Sequence, residues 1–299
     1  MYESLSALVG RLGTPYARKL AAASIRIAGA FAGARPSPDM LRRIMGLSFP
    51  SPLGLAAGFD KHGALYPALA GLGFGFAEIG SVTPRPQTGR SPGLAAVVAR
   101  LAGYRAPRPI PLGVSISMNL ATPFDQMAQD YLDCLAGVWE YADYITLNLG
   151  VRAGPDLHLQ ENRAALYSVF AAVKKEQALL TAASGYRLPI VVKLDQARGD
   201  TDALLGCVRE FAFDGLLLSG EAPRMNGAHQ LAALERVASR LHDEMPVISV
   251  GGIRTAWDAQ DRLNAGAALL QVYTGLVDSG PWLVQHINRH LGTTSPRGR

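Results

Sequence analysis

The sequence predicts an α/β protein whose fold class is the (β/α)8, or TIM, barrel, preceded by a short N-terminal helical extension. Eight short apolar runs recur along the chain, which is the number of strands in such a barrel. Most neighbouring runs are separated by a segment with helical periodicity, and strands that alternate with helices form parallel sheets. The chain has 299 residues, and one barrel needs roughly 250. The count of eight favours a closed barrel over an open, doubly wound sheet.

The predicted strands are the apolar runs. Several begin directly after Pro or Asp, and all are nearly continuously apolar, as expected for a sheet that helices cover on one face and side chains fill on the other. In chain order they are Leu53–Ala57, Phe76–Val82, Leu112–Ile116, Tyr144–Leu149, Ile190–Leu194, Gly215–Ser219, Val247–Val250 and Leu269–Tyr273. The helices predicted between them include Asp125–Tyr141, Arg163–Ala182, Asp202–Phe211, Gln230–His242 and Ala256–Ala265.

Residues 1–45 predict two helical pieces, with Pro15 between them. Four apolar residues of the first piece share one helical face: Leu5, Leu8, Val9 and Leu12. The second piece, Ala17–Phe31, mixes Leu and Ile with Arg and Lys. Such a basic amphipathic pair either caps the barrel or lies on a membrane surface, and both interpretations stay open. We therefore divide the chain into a helical extension, residues 1–45, and a barrel, residues 46–299.

Composition limits the classes of partner. The net charge is +5, from 29 basic and 24 acidic residues, and Lys and Arg do not cluster with interleaved aromatics, so we expect no nucleic-acid partner. Cys134 and Cys207 are far apart and predict buried free thiols rather than a disulfide or a metal site. No signal peptide or membrane-spanning stretch is recognisable near the N-terminus. We expect a cytoplasmic protein, peripheral on the inner face of the membrane where its N-terminal helices contact lipid.

The loops that follow the last two predicted strands have a sequence pattern typical of phosphate-binding sites. In barrels the chemistry lies at the carboxyl ends of the strands, and loops after the seventh and eighth strands frequently bind phosphate. Here they contain Gly251-Gly252 and Tyr273-Thr274-Gly275. Glycines let backbone N–H groups approach an anion, and a following helix adds its positive N-terminal dipole. We therefore predict a phosphate site there.

Two lysines follow strands at the same mouth. Lys61 comes after the first strand, where Ala56-Ala57-Gly58 would let a planar ring lie on the backbone, and Lys193 lies at the end of the fifth. Two cations at one mouth indicate ligand binding rather than exposed rim positions. Spacing alone also fits a Schiff-base lysine of the aldolase type at Lys193, so a lyase stays open as an alternative.

Four stretches resemble the signature of the dihydroorotate dehydrogenase family, class 2. They are Pro52–Lys61 (PLGLAAGFDK), Gly73–Gln87 (GFGFAEIGSVTPRPQ), Val250–Ile253 (VGGI) and Gln271–Gly275 (QVYTG). The N-terminal extension followed by Arg43–Leu47 is also similar to the membrane-associated, quinone-using class. The resemblance runs from about residue 40 to residue 290.

The resemblance implies FMN in the barrel mouth and a small-molecule substrate, with a quinone or another compound as electron acceptor and no metal. By position, the residues that would line the flavin are Ala57, Gly58, Lys61 and Thr83. Those that would hydrogen-bond its isoalloxazine and ribityl groups are Asn148 and Lys193. Those that would hold its phosphate are Gly227, Gly251, Gly252, Tyr273 and Thr274.

The substrate side departs from the family pattern. The family's serine base falls on Val151, which cannot accept a proton, and a substrate-binding asparagine falls on Ala153. An Asn-Thr pair that grips the orotate ring is Gly220-Glu221 here, and a flavin-side asparagine is Ser115. A substrate loop before the third strand is replaced by the shorter Leu101–Pro109. The cofactor half is therefore kept, and the dihydroorotate half is altered.

These departures predict an FMN-dependent oxidoreductase that acts on CH–CH groups of a small cyclic or amino-acid-derived substrate other than dihydroorotate. The polar groups that would take over at the mouth are Arg152, His158, Glu221 and Arg224, with Tyr104 in the rebuilt loop. Arg152 would hold a carboxylate through two hydrogen bonds, and Glu221 or His158 would move a proton. Lys61, next to the flavin, is the fourth residue that we predict to take part in catalysis. Two alternatives stay open: a quinone-using dihydroorotate dehydrogenase with a rearranged site, and a flavin-binding family member without catalysis.

Overall fold

Eight parallel strands close into a barrel that helices surround, so the predicted fold class is confirmed. The protein is seen here in a computed structural model that describes residues 14–104, 107–150, 159–196, 201–220, 227–241 and 244–294. The barrel strands pair in chain order, and the last pairs with the first to close the ring. Their carboxyl ends therefore meet at one mouth.

The barrel is preceded by a two-stranded hairpin. Its strands are β1 (Arg42–Ile44) and β2 (Leu47–Phe49). The barrel strands are β3 (Leu53–Leu55), β4 (Phe76–Val82), β5 (Leu112–Ile116), β6 (Tyr144–Asn148), β7 (Ile190–Asp195), β8 (Gly215–Ser219), β9 (Val247–Val250) and β10 (Leu269–Val272). Four of them have the predicted bounds, and the others differ by one or two residues at their carboxyl ends. The difference is largest at β3, because the chain turns at Gly58, whose φ is +89° and whose N–H donates to the Gly80 carbonyl (2.7 Å).

The described helices follow the predicted pattern closely. They are α1 (Thr14–Ala32), α2 (Tyr66–Leu72), α3 (Leu94–Leu101), α4 (Met127–Val138), α5 (Arg163–Ser184), α6 (Thr201–Glu210), α7 (Gly227–Leu241), α8 (Ala256–Asn264), α9 (Thr274–Ser279) and α10 (Trp282–Thr294). The predicted helix Asp125–Tyr141 was too long, because short 3-10 turns at Phe124–Gln126 and Trp139–Tyr141 flank α4. The predicted start at Gln230 was too late, since α7 begins at Gly227.

Two aspartates placed just before strands tie neighbouring strands together. Asp143 precedes β6 and accepts a hydrogen bond from the Leu112 N–H at the start of β5 (2.8 Å), while Arg108 pairs with its other oxygen (2.7 Å). Asp214 precedes β8 and accepts likewise from the Ile190 N–H at the start of β7 (2.8 Å). The aspartate that precedes each of these strands therefore fixes the start of the adjacent strand through a hydrogen bond.

The β1–β2 hairpin closes the amino-terminal end of the barrel. Phe49 is buried with its ring edge-on to Phe76 (5.4 Å between centroids), and Phe76 in turn contacts Tyr144 (6.5 Å). This hairpin was not predicted, because each of its strands has only three residues. The predicted boundary after residue 45 falls in its turn, and the division into extension and barrel stays a prediction.

Helix α1 packs against α2 on the outside of the barrel. Ala21 and Ile25 are buried in the main core, and the backbones of Gly29 and Gly71 approach so closely that a side chain at either would overlap the other helix. The second predicted helical piece is thereby confirmed, with Pro15 in its first turn, where proline is tolerated. The first predicted piece lies outside the described residues. None of the described helices is both long and apolar enough to cross a bilayer.

Candidate active site

The inner face of the barrel carries a polar layer just below the mouth. Side chains alternate between the two faces of a strand, so each of these residues lies two positions beyond one that faces the closed end. Most barrel interiors are filled by Val, Ile and Leu at such positions, and a polar layer therefore indicates function. Its members come from five strands: Glu78, Ser115, Thr146, Lys193 and Gln271.

Glu78 is the centre of this layer. Its Oε2 accepts hydrogen bonds from Thr146 Oγ1 (2.9 Å), Gln271 Nε2 (2.9 Å) and the Tyr144 hydroxyl (3.2 Å). Its Oε1 has no partner in the described part of the chain. Burial raises the pKa of Glu78, an effect that the hydrogen bond from Gln271 and the charge of Lys193 partly offset. The ionised form of Glu78 would be stabilised by a positive charge on the mouth side.

Lys193 supplies that positive charge. The sheet register places it between Asn148 of β6 and Leu217 of β8, close to the mouth. The side chain is half-buried, and no described group accepts a hydrogen bond from its ammonium. A partly desolvated ammonium without an acceptor is poorly stabilised by the protein alone, so it is available to a ligand.

Asn148 is oriented by its neighbours. Its Nδ2 donates to Ser81 Oγ (2.8 Å), and its Oδ1 accepts from the Gly150 N–H (3.3 Å). The Tyr131 hydroxyl donates to its backbone carbonyl (3.0 Å). The amide retains a second N–H and a second lone pair, so it can bind a ligand without losing these bonds. Ser115, which stands where the family has an asparagine, lies 3.5 Å from Ser81 between the two Oγ atoms.

Lys61 and Thr83 both hold the loop that follows β4. The Lys61 ammonium donates to the Gly89 carbonyl (2.6 Å), and Thr83 Oγ1 donates to the Arg85 carbonyl (2.7 Å). Thr83 is buried, and its N–H donates to Ser91 Oγ (3.1 Å). Both residues lie at the mouth as the sequence indicates, and both also have a structural task that spacing did not reveal. The flavin-side role of each and the catalytic role of Lys61 stay predictions.

The loop after β3 leaves bare backbone at the mouth. Ala57 and Gly58 are half-buried, and a side chain at Gly58 would lie 3.5 Å from the ring of Tyr273. Phe59 packs edge-on against the same ring (5.5 Å between centroids). The first and last strands of the barrel thus place small residues and one aromatic ring side by side.

The loops after β9 and β10 lie against each other. Gly251 and Gly252 have φ of +104° and +73°, which glycine adopts far more readily than other residues. Gly275 packs so tightly on the Ile253 carbonyl that a side chain there would overlap it. The structure thereby brings together four residues predicted to bind phosphate, while the fifth, Gly227, begins α7. The four are Gly251, Gly252, Tyr273 and Thr274.

Buried polar side chains behind this glycine pair were not predicted. Arg262 of α8 donates from Nη1 to Ser249 Oγ (3.0 Å) and from Nη2 to Gln230 Oε1 (2.6 Å). Gln230 Nε2 donates in turn to the Gly220 carbonyl (2.5 Å), which follows β8. The signal that could have revealed this network is a charged residue on the buried face of α8, three positions after Ala259.

Most of the predicted substrate-side groups lie outside the described residues. These are Arg152, His158, Glu221 and Arg224, together with the departures Val151 and Ala153. Tyr104 is described: its hydroxyl donates to the Gly63 carbonyl (2.8 Å), and its ring packs on Tyr66 (5.4 Å between centroids). Tyr104 therefore anchors the rebuilt loop.

Both cysteines, Cys134 and Cys207, are buried free thiols, as predicted. Across the described ranges, no group of three or more His, Cys, Asp or Glu side chains is placed to hold a metal ion.

Barrel enzymes carry their active sites at the carboxyl ends of the strands. The polar layer, which includes Lys193, and the glycine loops lie at that end, so fold and site together define an enzyme of the (β/α)8 class. A family model described as dihydroorotate dehydrogenase matches residues 40–97 and 208–294. The chain is 35% identical to "Dihydroorotate dehydrogenase (quinone)" of Methylobacillus flagellatus, with 86% of this chain and 88% of that protein covered. It is 33% identical to the protein of the same name from Methylococcus capsulatus, with 97% and 98% covered. The chain belongs to the dihydroorotate dehydrogenase family.

A solved structure shares the architecture. The ligand-free enzyme described as DHODH from Eimeria tenella superimposes with a TM-score of 0.79 at 25% sequence identity, covering 91% of this chain and 93% of that one. Its complex with ferulenol gives the same TM-score at 24% identity. These likenesses confirm the barrel fold.

The match to the family model is uneven along the chain. Residues 98–207 are not matched. That stretch contains most of the departures noted in the sequence, while the glycine loops after β9 and β10 lie in a matched part. The family pattern is thus strongest on the predicted phosphate side. The unmatched departures are Leu101–Pro109, Ser115, Val151 and Ala153.

Proposed function

We propose that this protein is an FMN-dependent oxidoreductase whose substrate is a small cyclic or amino-acid-derived compound other than dihydroorotate. The observation that carries the proposal is the half-buried ammonium of Lys193, next to Asn148 and near the buried carboxyl of Glu78. An ammonium in this environment is stabilised by a ligand that has carbonyl or anionic oxygens. A flavin ring offers such oxygens.

The mouth has the features that a flavin mononucleotide requires. Gly251 and Gly252 present backbone without side chains, and Gly252 has a φ of +73°, which glycine adopts far more readily than other residues. Bound FMN would supply hydride transfer, and the protein would supply position and charge. We propose that the phosphate is held by Gly227, Gly251, Gly252, Tyr273 and Thr274. We propose that the ring is held by Ala57, Gly58, Lys61, Thr83, Asn148 and Lys193.

The side chains of this chain then divide the remaining work. Lys193 would hold an oxygen of the ring through a charge-assisted hydrogen bond, and Asn148 would orient it through its free amide valences. Three groups known only from sequence would serve the substrate. Arg152 would bind a carboxylate, and Glu221 or His158 would hold or release a proton.

The substrate assignment follows from what the departures remove. Val151 cannot take a proton, and loss of a general base costs about 10²–10⁴-fold in rate. Ala153, Gly220 and Ser115 lack the amides that the family pattern has there. Each lost hydrogen bond to a polar ring costs roughly 1–3 kcal/mol. Together these losses disfavour dihydroorotate both as a ligand and as a hydride donor.

The experiment begins with the absorbance spectrum of the purified full chain and the affinity for FMN by calorimetry. Under anaerobic conditions the flavin-loaded protein is then mixed with dihydroorotate and with a panel of cyclic amides and amino-acid-derived acids. We expect bleaching of the flavin by a panel member and not by dihydroorotate. Lys193→Met, which keeps an unbranched side chain but removes the charge, should weaken FMN binding.

Two outcomes would contradict the proposal separately. A colourless preparation that takes up no FMN would refute the cofactor. Rapid bleaching by dihydroorotate, with orotate as product, would refute the substrate.

That second outcome defines the rival candidate, a quinone-using dihydroorotate dehydrogenase with a rearranged site. The observation in its favour is that curated relatives at 33% and 35% identity carry that name. Orotate formation with a soluble quinone as acceptor is its direct test.

We also propose that α1 makes peripheral contact with a membrane. Leu20 and Ile27 are 51% and 65% exposed on this helix, seven residues apart and thus on similar faces, and Lys19 and Arg26 flank them. Sedimentation with anionic vesicles should recover the protein, and Leu20→Ser/Ile27→Ser should reduce the bound fraction. Equal recovery of both proteins would contradict this contact.

A further inference from the structure

Arg262 is a buried cation surrounded by neutral oxygens. Its side chain lies in α8 and the residue is only 4% exposed. Nη1 donates to Ser249 Oγ (3.0 Å), and Nη2 donates to Gln230 Oε1 (2.6 Å) and to the Gly251 carbonyl (3.1 Å). None of these three acceptors carries a charge.

A counter-ion is missing from the described part of the chain. No carboxylate there lies within ion-pair distance of Arg262. Asp258, one helical turn earlier, attracts it electrostatically, but Oδ2 of Asp258 already accepts from the backbone N–H groups of Arg254 and Thr255. Burial lowers the pKa of Arg262, as expected for a charge that forms no ion pair with a carboxylate of the described residues. A buried charge without a partner is strongly destabilising, so an external anion nearby would stabilise it.

The position of the guanidinium of Arg262 indicates where that anion would bind. A Cβ built on Gly252 would be 3.3 Å from Arg262 Nη2, so the guanidinium lies directly behind the glycine pair. The Gly251–Gly252 peptide is trans, and its C=O and N–H therefore point in opposite directions. Because Arg262 holds the Gly251 carbonyl on the core side, the Gly252 N–H faces away from the core. That N–H has no acceptor within the described residues.

From these observations we propose that Arg262 is the positioning residue of a phosphate-dianion site at Gly251-Gly252, and that it makes the protein select a phosphorylated flavin over an unphosphorylated one. It does so in two ways. It fixes the peptide that presents the Gly252 N–H, and it places a positive charge behind that donor. This inference rests on the proposed function for the identity of the flavin, but the phosphate site itself does not.

The network also connects this site to the neighbouring strand. Gln230, which accepts from Arg262, donates to the Gly220 carbonyl at the end of β8. Loss of the guanidinium would therefore loosen both loops on the phosphate side, while Lys193 and Asn148 on the ring side would be unaffected. The expected signature is a change in affinity for the phosphate and not for the ring.

The test compares FMN with riboflavin, which has the same ring and no phosphate. Dissociation constants of both are measured by fluorescence quenching for the full-length wild type, Arg262→Gln and Arg262→Lys. In Arg262→Gln we expect FMN to bind at least about tenfold more weakly, the range of a charge-assisted hydrogen bond, with riboflavin unchanged. Arg262→Lys should weaken FMN less, since the charge remains but the three acceptors cannot all be held.

Arg254→Gln is the matched control. Arg254 lies two residues after the glycine pair, but its side chain is 61% exposed and faces Asp278. Removing it lowers the local charge by the same amount without touching the Gly251 carbonyl. Its ratio of FMN to riboflavin affinity should remain that of the wild type.

Inorganic phosphate provides a readout that needs no flavin. We expect phosphate to raise the melting temperature of the wild type and of Arg254→Gln, and to leave that of Arg262→Gln unchanged. A wild type that binds neither flavin would sink the proposed function, and the phosphate measurement would then decide this inference alone. Equal FMN affinity in Arg262→Gln and the wild type, parallel weakening of FMN and riboflavin, or no phosphate effect on the wild type would each overturn it. If Arg262→Gln does not fold, Arg262→Lys decides, and unchanged FMN affinity in that variant overturns the inference.

Discussion

Replacing Glu78 with glutamine tests the electrostatics of the polar layer. Glutamine has the shape of glutamate, and its carbonyl oxygen can accept the hydrogen bonds from Thr146, Gln271 and Tyr144 that now converge on Oε2. Its amide NH2 then occupies the place of Oε1, which has no partner in the described part of the chain. The substitution therefore removes a buried ionisable group while keeping the hydrogen bonds that join three strands, β4, β6 and β10.

The pH dependence follows from the direction of the pKa. Burial raises the pKa of Glu78 above its ordinary value of 4.5, so the folded chain binds this proton more tightly than the unfolded chain. The resulting stabilisation is fully present below pH 4.5 and is lost as the pH rises through the folded-state pKa. Each pKa unit of elevation corresponds to about 1.4 kcal/mol. For a chain of this size that is a few degrees in melting temperature.

The assay is a series of melting curves between about pH 4 and about pH 8. We expect Glu78→Gln to gain stability relative to the wild type as the pH rises above 4.5. Glu235→Gln, at an exposed glutamate of α7, is the control, and its curve should run parallel to that of the wild type. A difference between Glu78→Gln and wild type that stays constant, or that narrows with rising pH, would refute the reasoning.

Three further predictions concern the mouth. Gly252→Asp should yield protein without bound FMN, because the new side chain would meet Gln230 Oε1 at 2.6 Å and its carboxylate would compete for Arg262; a preparation that stays yellow would contradict this. Val151→Ser should not restore dihydroorotate oxidation, since the ring-gripping residues remain absent, and measurable orotate formation by that variant would show that their loss matters less than we argue. Borohydride reduction in the presence of carbonyl compounds should not modify Lys193, because we propose that this lysine is a charged hydrogen-bond donor to the flavin and not a nucleophile. A mass increase on the peptide that contains Lys193 would favour the lyase.

The fold was accessible from the sequence because its strongest signals are local. Buried parallel strands are continuous apolar runs, and an aspartate such as Asp143 or Asp214 sits just before two of them to bind the adjacent strand. The β1–β2 hairpin escaped prediction because its strands are short and its role depends on Phe49 meeting Phe76, a contact across the closed end of the barrel. The 3-10 turns that flank α4 escaped for a similar reason, since their residues continue the helical pattern.

The candidate site could be predicted from the sequence only in part. The residues at the strand ends could be placed because a barrel brings all carboxyl ends to one mouth, whatever the intervening sequence. Arg262 could not, because its partners Ser249 and Gln230 are 13 and 32 residues away and no repeat relates them. The same holds for Lys61, whose contact with Gly89 belongs to a loop without periodicity.

The network that holds the phosphate side of the mouth also reaches the substrate side, at the Gly220 carbonyl. On the phosphate side, Arg262 joins the loops after β8 and β9 through Gln230, Ser249 and the Gly251 carbonyl. Gly220 stands where the family pattern has a different residue, and a Cβ there would lie 2.8 Å from Gln230 Cδ. A substitution at Gly220 therefore affects the network behind the glycine pair. We expect tight FMN binding together with absent dihydroorotate turnover, because the residues proposed to hold FMN match the family pattern while the substrate-side residues differ from it.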